Sequence, residues 1–373
     1  MKDPRLTTLA TTLVRYSTKI KENDHVLIRG HANAKPLLLE IIKQVQIAKA
    51  HPHVLLMDDE INRQVLMGVD DAYYDMAAKW RENQFSDIDA SIVVYSEDND
   101  SEMSDVPSEN RILAAKRLKK SSQIIIKKRW VLLNYPSHGL AQKARMSYEK
   151  FFNYLIDVCN VDYEKMNEAF KPLKELMEKT DKVRIVGPGT DLSFSIKGIH
   201  AVPCAGNYNV PDGEIFTAPV KTSVNGKITY NTASPYQGIV FNNVSLTFEN
   251  GKIIDCSADK DVSALEKIFN TDDGARYVGE FAIGVNPMIL HPMGDILFDE
   301  KIAGSLHFTP GQCYEGEADN GNQSAIHWDL VLIQRPEYGG GEIYFDDRLI
   351  RKDGLFVVPE LLSLNPENLM KTK

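Results

Sequence analysis

Apolar positions along the chain follow two rhythms, and the change falls near residue 180. Ahead of it, short unbroken apolar runs alternate with stretches of helical spacing. HVLIRG at residues 25–30 reads as a strand, and AKPLLLEIIKQVQIAKA at 34–50 repeats its apolar positions with the period of a helix. HVLLMD at 53–58, SIVVYSE at 91–97 and WVLLNYP at 130–136 read as further strands, with helical stretches between them. After Gly139 a long helical region runs to about residue 179, and Pro172 marks a helix start or a kink within it. Strands alternating with helices predict a mostly parallel sheet with flanking helices. Unbroken apolar strands such as VLLM fit a sheet covered on both faces.

From residue 181 the runs are shorter and alternate apolar with polar: VRIVGPG, DLSFSI, GKITY, VSLTFEN, GKIIDCS and EIYFDD. Asn225-Gly226 and Asn250-Gly251 lie between such runs and read as hairpin turns. VSALEKIFN is the clearest helix of this half. The expected architecture is therefore an α/β N-terminal domain over residues 1–180, followed by a β-rich α+β C-terminal domain over 181–373 that carries the chemistry. A chain of 373 residues is long enough for two cores. VGPGTD at 186–191 follows a strand, but Pro188 lacks a backbone N–H and no helix comes next. It matches no dinucleotide or phosphate-loop pattern and reads as a turn.

Charge removes some classes of partner. The net charge of −9 argues against a nucleic-acid-binding surface. The basic run KRLKK at 116–120 reads as the solvated face and last turn of a helix. Four cysteines, at 159, 204, 256 and 313, form no C-x-x-C pair and no disulfide framework, which suits a reducing compartment. No leader pattern opens the sequence and no apolar run is long enough to span a membrane. A cytoplasmic protein without membrane or nucleic-acid partners is the expectation.

The chemistry-bearing side chains gather in the second half. In GNQSAIHWDL, His327 and Asp329 stand two places apart in an apolar run, so in a strand they share one face. An imidazole and a carboxylate buried together must be satisfied by a hydrogen-bonding neighbour or by a metal ion. PDGEIFTAP places Glu214 between a turn and a strand, and YVGEFAIGVNP puts Glu280 in the middle of an apolar strand. GSLHFTPGQCY supplies His307, with Tyr314 seven residues on. Each residue has a plainer reading alone. Glu214 would be a turn or cap residue, Glu280 a partner of Arg276, His307 a satisfied core histidine, and Tyr314 a packing tyrosine. Together, three carboxylates and two imidazoles without thiolate suit a pair of divalent ions: zinc, cobalt, manganese or magnesium. A water bridging such a pair loses a proton near neutral pH and attacks a carbonyl or phosphoryl centre. Phosphate chemistry would bring a cationic clamp, and Lys301 and Arg335 form no obvious one in the sequence. A phosphoesterase, an amidohydrolase and a metal-stabilised binding protein all stay open at this point.

PDGEIFTAPV, GEFAIGVNP, GSLHFTPGQCYEG and NQSAIHWDL, in this order and spacing, resemble the thermophilic aminopeptidase family of metallopeptidases, typified by aminopeptidases T and S. The resemblance covers essentially the whole chain. It implies that Glu214, Glu280, His307, His327 and Asp329 hold two divalent metal ions per subunit. It implies that Glu280 also handles the proton of the metal-bridging water and that Tyr314 donates a hydrogen bond to the oxyanion. The implied activity is removal of single N-terminal residues from peptides with a free N-terminus. The implied assembly is a homodimer whose active sites face an enclosed cavity.

Overall fold

A computed structural model describes residues 3–370, which form two compact units. The first runs to Asn160 and takes back Gly206–Pro211; the second holds Val161–Ala205 and the chain from Asp212 onward. The division thus lies ahead of the helix Tyr163–Lys179, not behind it as the sequence rhythm suggests. That helix buries Met166, Phe170, Leu173 and Met177, and it packs on the strand Val202–Cys204 and the turn Pro359–Leu364. Helical spacing shows that a helix has an apolar face, but not which core receives it. Pro172 lies inside this helix without ending it.

The first unit is built on a five-stranded parallel sheet. Its order is His51–Met57, His25–His31, Ala90–Tyr95, Arg129–Asn134 and Asn209–Val210. Of the interior strands, His25–His31 and Ala90–Tyr95 are almost wholly buried, as unbroken apolar runs predict, and Arg129–Asn134 is half-buried. The edge strand is the exception. Val54, Leu55 and Leu56 of His51–Met57 are 42%, 40% and 69% exposed, and the next helix, Asp59–Met67, buries none of its residues. The basic run 116–120 sits in the middle of the helix Ser108–Ile126, not in its last turn. Arg117 pairs with Asp71 and Asp75, and Lys120 with Glu82, all on the helix Asp71–Ser86.

The second unit stacks two antiparallel sheets. One has eight strands, among them Lys182–Gly187 and Thr190–Ser195, which are joined by the Pro188-Gly189 turn, with Gly189 at φ 67°. Asn250-Gly251 makes the expected hairpin between Ser245–Glu249 and Lys252–Ser257. Asn225-Gly226 does not. Gly226 is in the strand Asn225–Thr229 at φ 111°, where a Cβ would stand 2.2 Å from the Asp191 carbonyl oxygen. Its glycine serves a close backbone approach, which looks the same as a turn signal in sequence. The second sheet has five strands, in the order Val331–Ile333, Ser305–Pro310, Val278–Gly284, Glu214–Thr217 and Val202–Cys204.

Between the two sheets lies an aromatic core. Phe194 of the larger sheet stands 5.0 Å from Phe281 and 4.9 Å from Phe308, ring centre to ring centre. Polar ties reach across as well. The Tyr230 hydroxyl donates to the Phe308 carbonyl at 3.0 Å, Thr232 donates to the Val331 carbonyl at 3.0 Å, and the buried Arg351 donates to the Ser305 carbonyl at 2.8 Å. These contacts fix the smaller sheet from below and leave its other face free to carry polar side chains.

Candidate metal centre

Strand register assembles the site on that other face. Glu280 stands opposite Thr309, Ala282 opposite His307, and Gly284 opposite Glu214. Because successive residues alternate faces, Glu280, Ala282 and Gly284 share one side while Phe281 and Ile283 point into the aromatic core. The small side chains at 282 and 284 leave space between the carboxylates of the neighbouring strands. His327 and Asp329 come from a segment that is not a regular strand. His327 makes only an isolated bridge with Gly311, and pairing resumes at Val331–Ile333. The expected strand is therefore an extended loop. The two side chains still meet, with His327 Nε2 at 3.3 Å from Asp329 Oδ1.

All five expected ligands converge. Glu280 Oε1 lies 3.3 Å from His307 Nε2, and Glu280 Oε2 lies 3.3 Å from His327 Nε2, so its two oxygens face different imidazoles. His307 Nε2 is 3.6 Å from Glu214 Oε2. The His327 Nδ1–H donates to the Gln312 carbonyl at 2.8 Å. A carbonyl oxygen only accepts, so this bond fixes the tautomer and leaves Nε2 to the carboxylates. Thr309 holds Asp329 Oδ1 with a hydrogen bond of 2.8 Å. Tyr314 is half-exposed. Its ring lies between Phe216 at 4.9 Å and the edge-on ring of His327 at 5.4 Å.

Electrostatics in this cluster favour cations. Burial alone pushes Glu280 up, but hydrogen bonds with His307 and His327 outweigh it and hold the carboxyl below its ordinary range. Asp329 is likewise held low against its burial by His327. Burial works against a charged imidazole, yet Glu280 and the neighbouring carboxylates push His307 up to about 10. Asp329 and Glu280 push His327 up to about 12. Glu214 differs: burial pushes it well above the carboxylate range, only partly offset by Lys301. Its Oε2 is buried with no hydrogen-bond partner, a costly state that a bound cation relieves. Donor atoms of Glu280, His307 and Asp329 lie within 4.8 Å of one another, as do those of Glu214, Glu300 and His307. The residues present fit divalent metal ions.

The cluster has two further members that sequence patterning does not reveal. Glu300 borders Glu214 and His307, and Lys301, fully buried, pairs with Glu300 and stands 3.6 Å from Glu214 Oε1. FDEK ends the four-residue helix Ile296–Asp299, too short to show a period, and a lysine there looks like surface. Arg276 pairs with Glu266, not with Glu280. Arg335 is engaged by Glu337 and by the carbonyls of Ala303 and Leu290. With Lys301 tied to carboxylates, neither cation is free to clamp a phosphate. Cys313 is buried, and its thiol donates to Asp319 at 3.2 Å.

A buried set of carboxylates and imidazoles on a β-rich unit is the donor set of a divalent-metal protein. The chain belongs to the thermophilic metalloprotease (M29) family, whose description matches residues 2–338. It is 30% identical over 168 residues to Aminopeptidase 2 of Geobacillus stearothermophilus, covering 40% of this chain and 38% of that protein. It is 32% identical over 170 residues to Aminopeptidase T of Thermus aquaticus, covering 39% of this chain and 41% of that protein. These matches span well under two thirds of either relative. The solved structure of wild-type AmpT from Thermus thermophilus shares the fold, with a TM-score of 0.77 at 21% identity over 95% of this chain and 99% of that one.

Lys301 offers a direct test of the charge balance. Replacing it with Met leaves Glu214 and Glu300 buried without their cation, a loss expected to cost about 3–5 kcal/mol in the metal-free protein. Denaturant unfolding measures it, and a loss below about 1 kcal/mol would show that the cluster balances without Lys301.

Proposed function

We propose that this protein is a metal-dependent aminopeptidase that removes single N-terminal residues from peptides with a free N-terminus. Glu214, Glu280, His307, His327 and Asp329 would hold two divalent ions per subunit. The observation that carries this reading is the placement of Glu280, whose two oxygens each face a different histidine, so that one buried carboxylate would serve both sides of the donor set. Oxygen and imidazole donors suit zinc, cobalt, manganese or magnesium. Bound there, the ions supply Lewis acidity at the scissile carbonyl and an acidified water. The names of the relatives, aminopeptidases all, favour peptide substrates. Five donors shared by two ions fall short of the four per ion that close a structural site, and the open positions favour catalysis over a purely structural role.

The chain's own residues supply the rest of the chemistry. Glu280 accepts a proton in the attack and returns one to the leaving amine, a role open to a carboxylate that already accepts hydrogen bonds from two imidazoles. The Tyr314 phenol is pushed above its ordinary range, first by burial of its hydroxyl and then by Glu280 and Asp329. It therefore stays protonated and serves as a donor to the oxyanion of the tetrahedral intermediate. A free N-terminal amine in its neutral form would offer the loaded cluster a lone pair, which an acetylated N-terminus lacks.

Two further properties belong to the same proposal. Four free cysteines suit a reducing, cytoplasmic setting, and among the described residues no helix is long and apolar enough to cross a membrane. A homodimer would cover apolar surface that the single chain leaves open at Val54, Leu55 and Leu56.

Three outcomes are expected. Treatment with a chelator abolishes cleavage of leucine p-nitroanilide while circular dichroism shows the fold retained. Adding back a divalent metal restores cleavage, and the N-acetylated substrate stays intact throughout. Cleavage that survives complete metal removal, or that ignores acetylation, would sink the reading. Tyr314→Phe keeps its metal content and loses about 10²–10³-fold in kcat, the usual consequence of removing one oxyanion donor; an unchanged kcat removes Tyr314 from the mechanism. Light scattering gives twice the mass of one chain in solution, and a monomer mass at micromolar concentration would overturn the dimer.

A further inference from the structure

Beside the candidate metal centre the second unit holds a pocket of 190 Å³ that opens to solvent. His327 and Asp329 form one side of it. The rest is apolar in effect, with Pro235, Tyr236, Ile296, Trp328 and Val331 in its wall. Two of the hydroxyl groups that line it are engaged, since Thr232 donates to the Val331 carbonyl at 3.0 Å and Ser234 to the Thr232 carbonyl at 3.3 Å, while the Tyr236 phenol interacts with His327 and Asp329 on the polar side. Asp299 also borders the space, but its two oxygens accept the backbone N–H groups of Met293 at 2.7 Å and Gly294 at 2.9 Å. Its carboxylate is thus committed to the loop and is poorly placed to pair with an incoming cation.

The wall is built in advance. Trp328 stacks on Tyr236 at 4.8 Å and packs against Phe241 at 5.4 Å and Phe269 at 6.0 Å. Such a brace holds the cavity open without a ligand, as small-molecule sites usually are. The volume exceeds the roughly 150 Å³ at which an apolar protein cavity accepts benzene, so one large side chain fits and two do not.

We propose that this cavity receives the side chain of the substrate's N-terminal residue and selects large apolar and aromatic ones. The inference rests on the aminopeptidase reading and adds the class of peptide to it. Geometry supports the first residue over the second. The free α-amine is carried on the same Cα as that side chain, so a side chain seated in the cavity brings the amine to the His327 and Asp329 side of the cluster. The second residue bears no free amine and would leave that contact unmade.

The test uses the metal-restored full chain with a series of aminoacyl p-nitroanilides, which have no second residue, and with dipeptides varied at either position. Leu and Phe at the first position are expected to exceed Ala by at least about tenfold in kcat/KM, the scale on which apolar pockets discriminate. Ala233 is exposed on the cavity rim, outside the catalytic machinery. Ala233→Phe is expected to cut kcat/KM for Leu and Phe about tenfold while Ala changes less than threefold. Ile296→Ala, at another exposed wall position, is expected to shrink the preference for Leu over Ala. Preference for Lys or Glu, dependence on the second residue alone, or equal loss for every substrate in Ala233→Phe would overturn the proposal. Binding of free L-phenylalanine and L-alanine by calorimetry separates the two readings. Turnover without side-chain preference removes the cavity's role and leaves the aminopeptidase. Phenylalanine binding that Ala233→Phe abolishes, in a protein that cleaves nothing, keeps the cavity and removes the hydrolase. Neither turnover nor binding removes both.

Discussion

A carboxylate that is cut off from water must be neutralised on both of its oxygens, and the second unit is arranged around Glu280 in that position. At 3% exposure, it finds His307 on one oxygen and His327 on the other. Those two imidazoles come from different segments, one from the neighbouring strand and one from the extended loop before Val331–Ile333. The charge balance of a single buried group therefore fixes the path of two pieces of chain that are far apart in sequence. Glu214, Glu300 and Lys301 extend the same balance to the next strand and to the loop ahead of His307.

Such a cluster depends on what lies beneath it. Phe281 and Phe308 sit on the opposite face of the strands that carry Glu280 and His307, packed on Phe194 of the larger sheet. Burial of these rings stabilises the sheet by about 1.5–3 kcal/mol each and sets the height of the polar face above it. Tyr230, Thr232 and Arg351 add donors to carbonyls of the smaller sheet. The site residues are thus held by strands and by a braced core, which gives the precision that metal ligation and acid–base chemistry demand.

The first unit reflects a different constraint. Its parallel sheet has largely buried interior strands and an edge strand on which Val54, Leu55 and Leu56 are exposed. Edge strands are usually shortened, charged or covered, because their free N–H and C=O groups invite pairing. His51–Met57 is none of these. Its apolar run reads as a strand covered on both faces, and the run itself holds no information on whether the cover belongs to the same chain.

Much of this protein is legible in its order of residues. The period of apolar positions gives the parallel α/β unit and the antiparallel unit, since helix and strand impose different spacings on a buried face. Glu214, Glu280, His307, His327, Asp329 and Tyr314 are recognisable because polar groups inside apolar runs are rare, and because four motifs together resemble one family. Tertiary structure decided the rest. It gave the helix Tyr163–Lys179 to the second unit, made Gly226 a point of close approach in place of a turn, and left His327 and Asp329 on an extended loop. It also buried Lys301 between carboxylates and opened a cavity beside Trp328. In each case the deciding contact joins residues far apart along the chain, and local patterning carries the face a residue presents but not the partner that meets it.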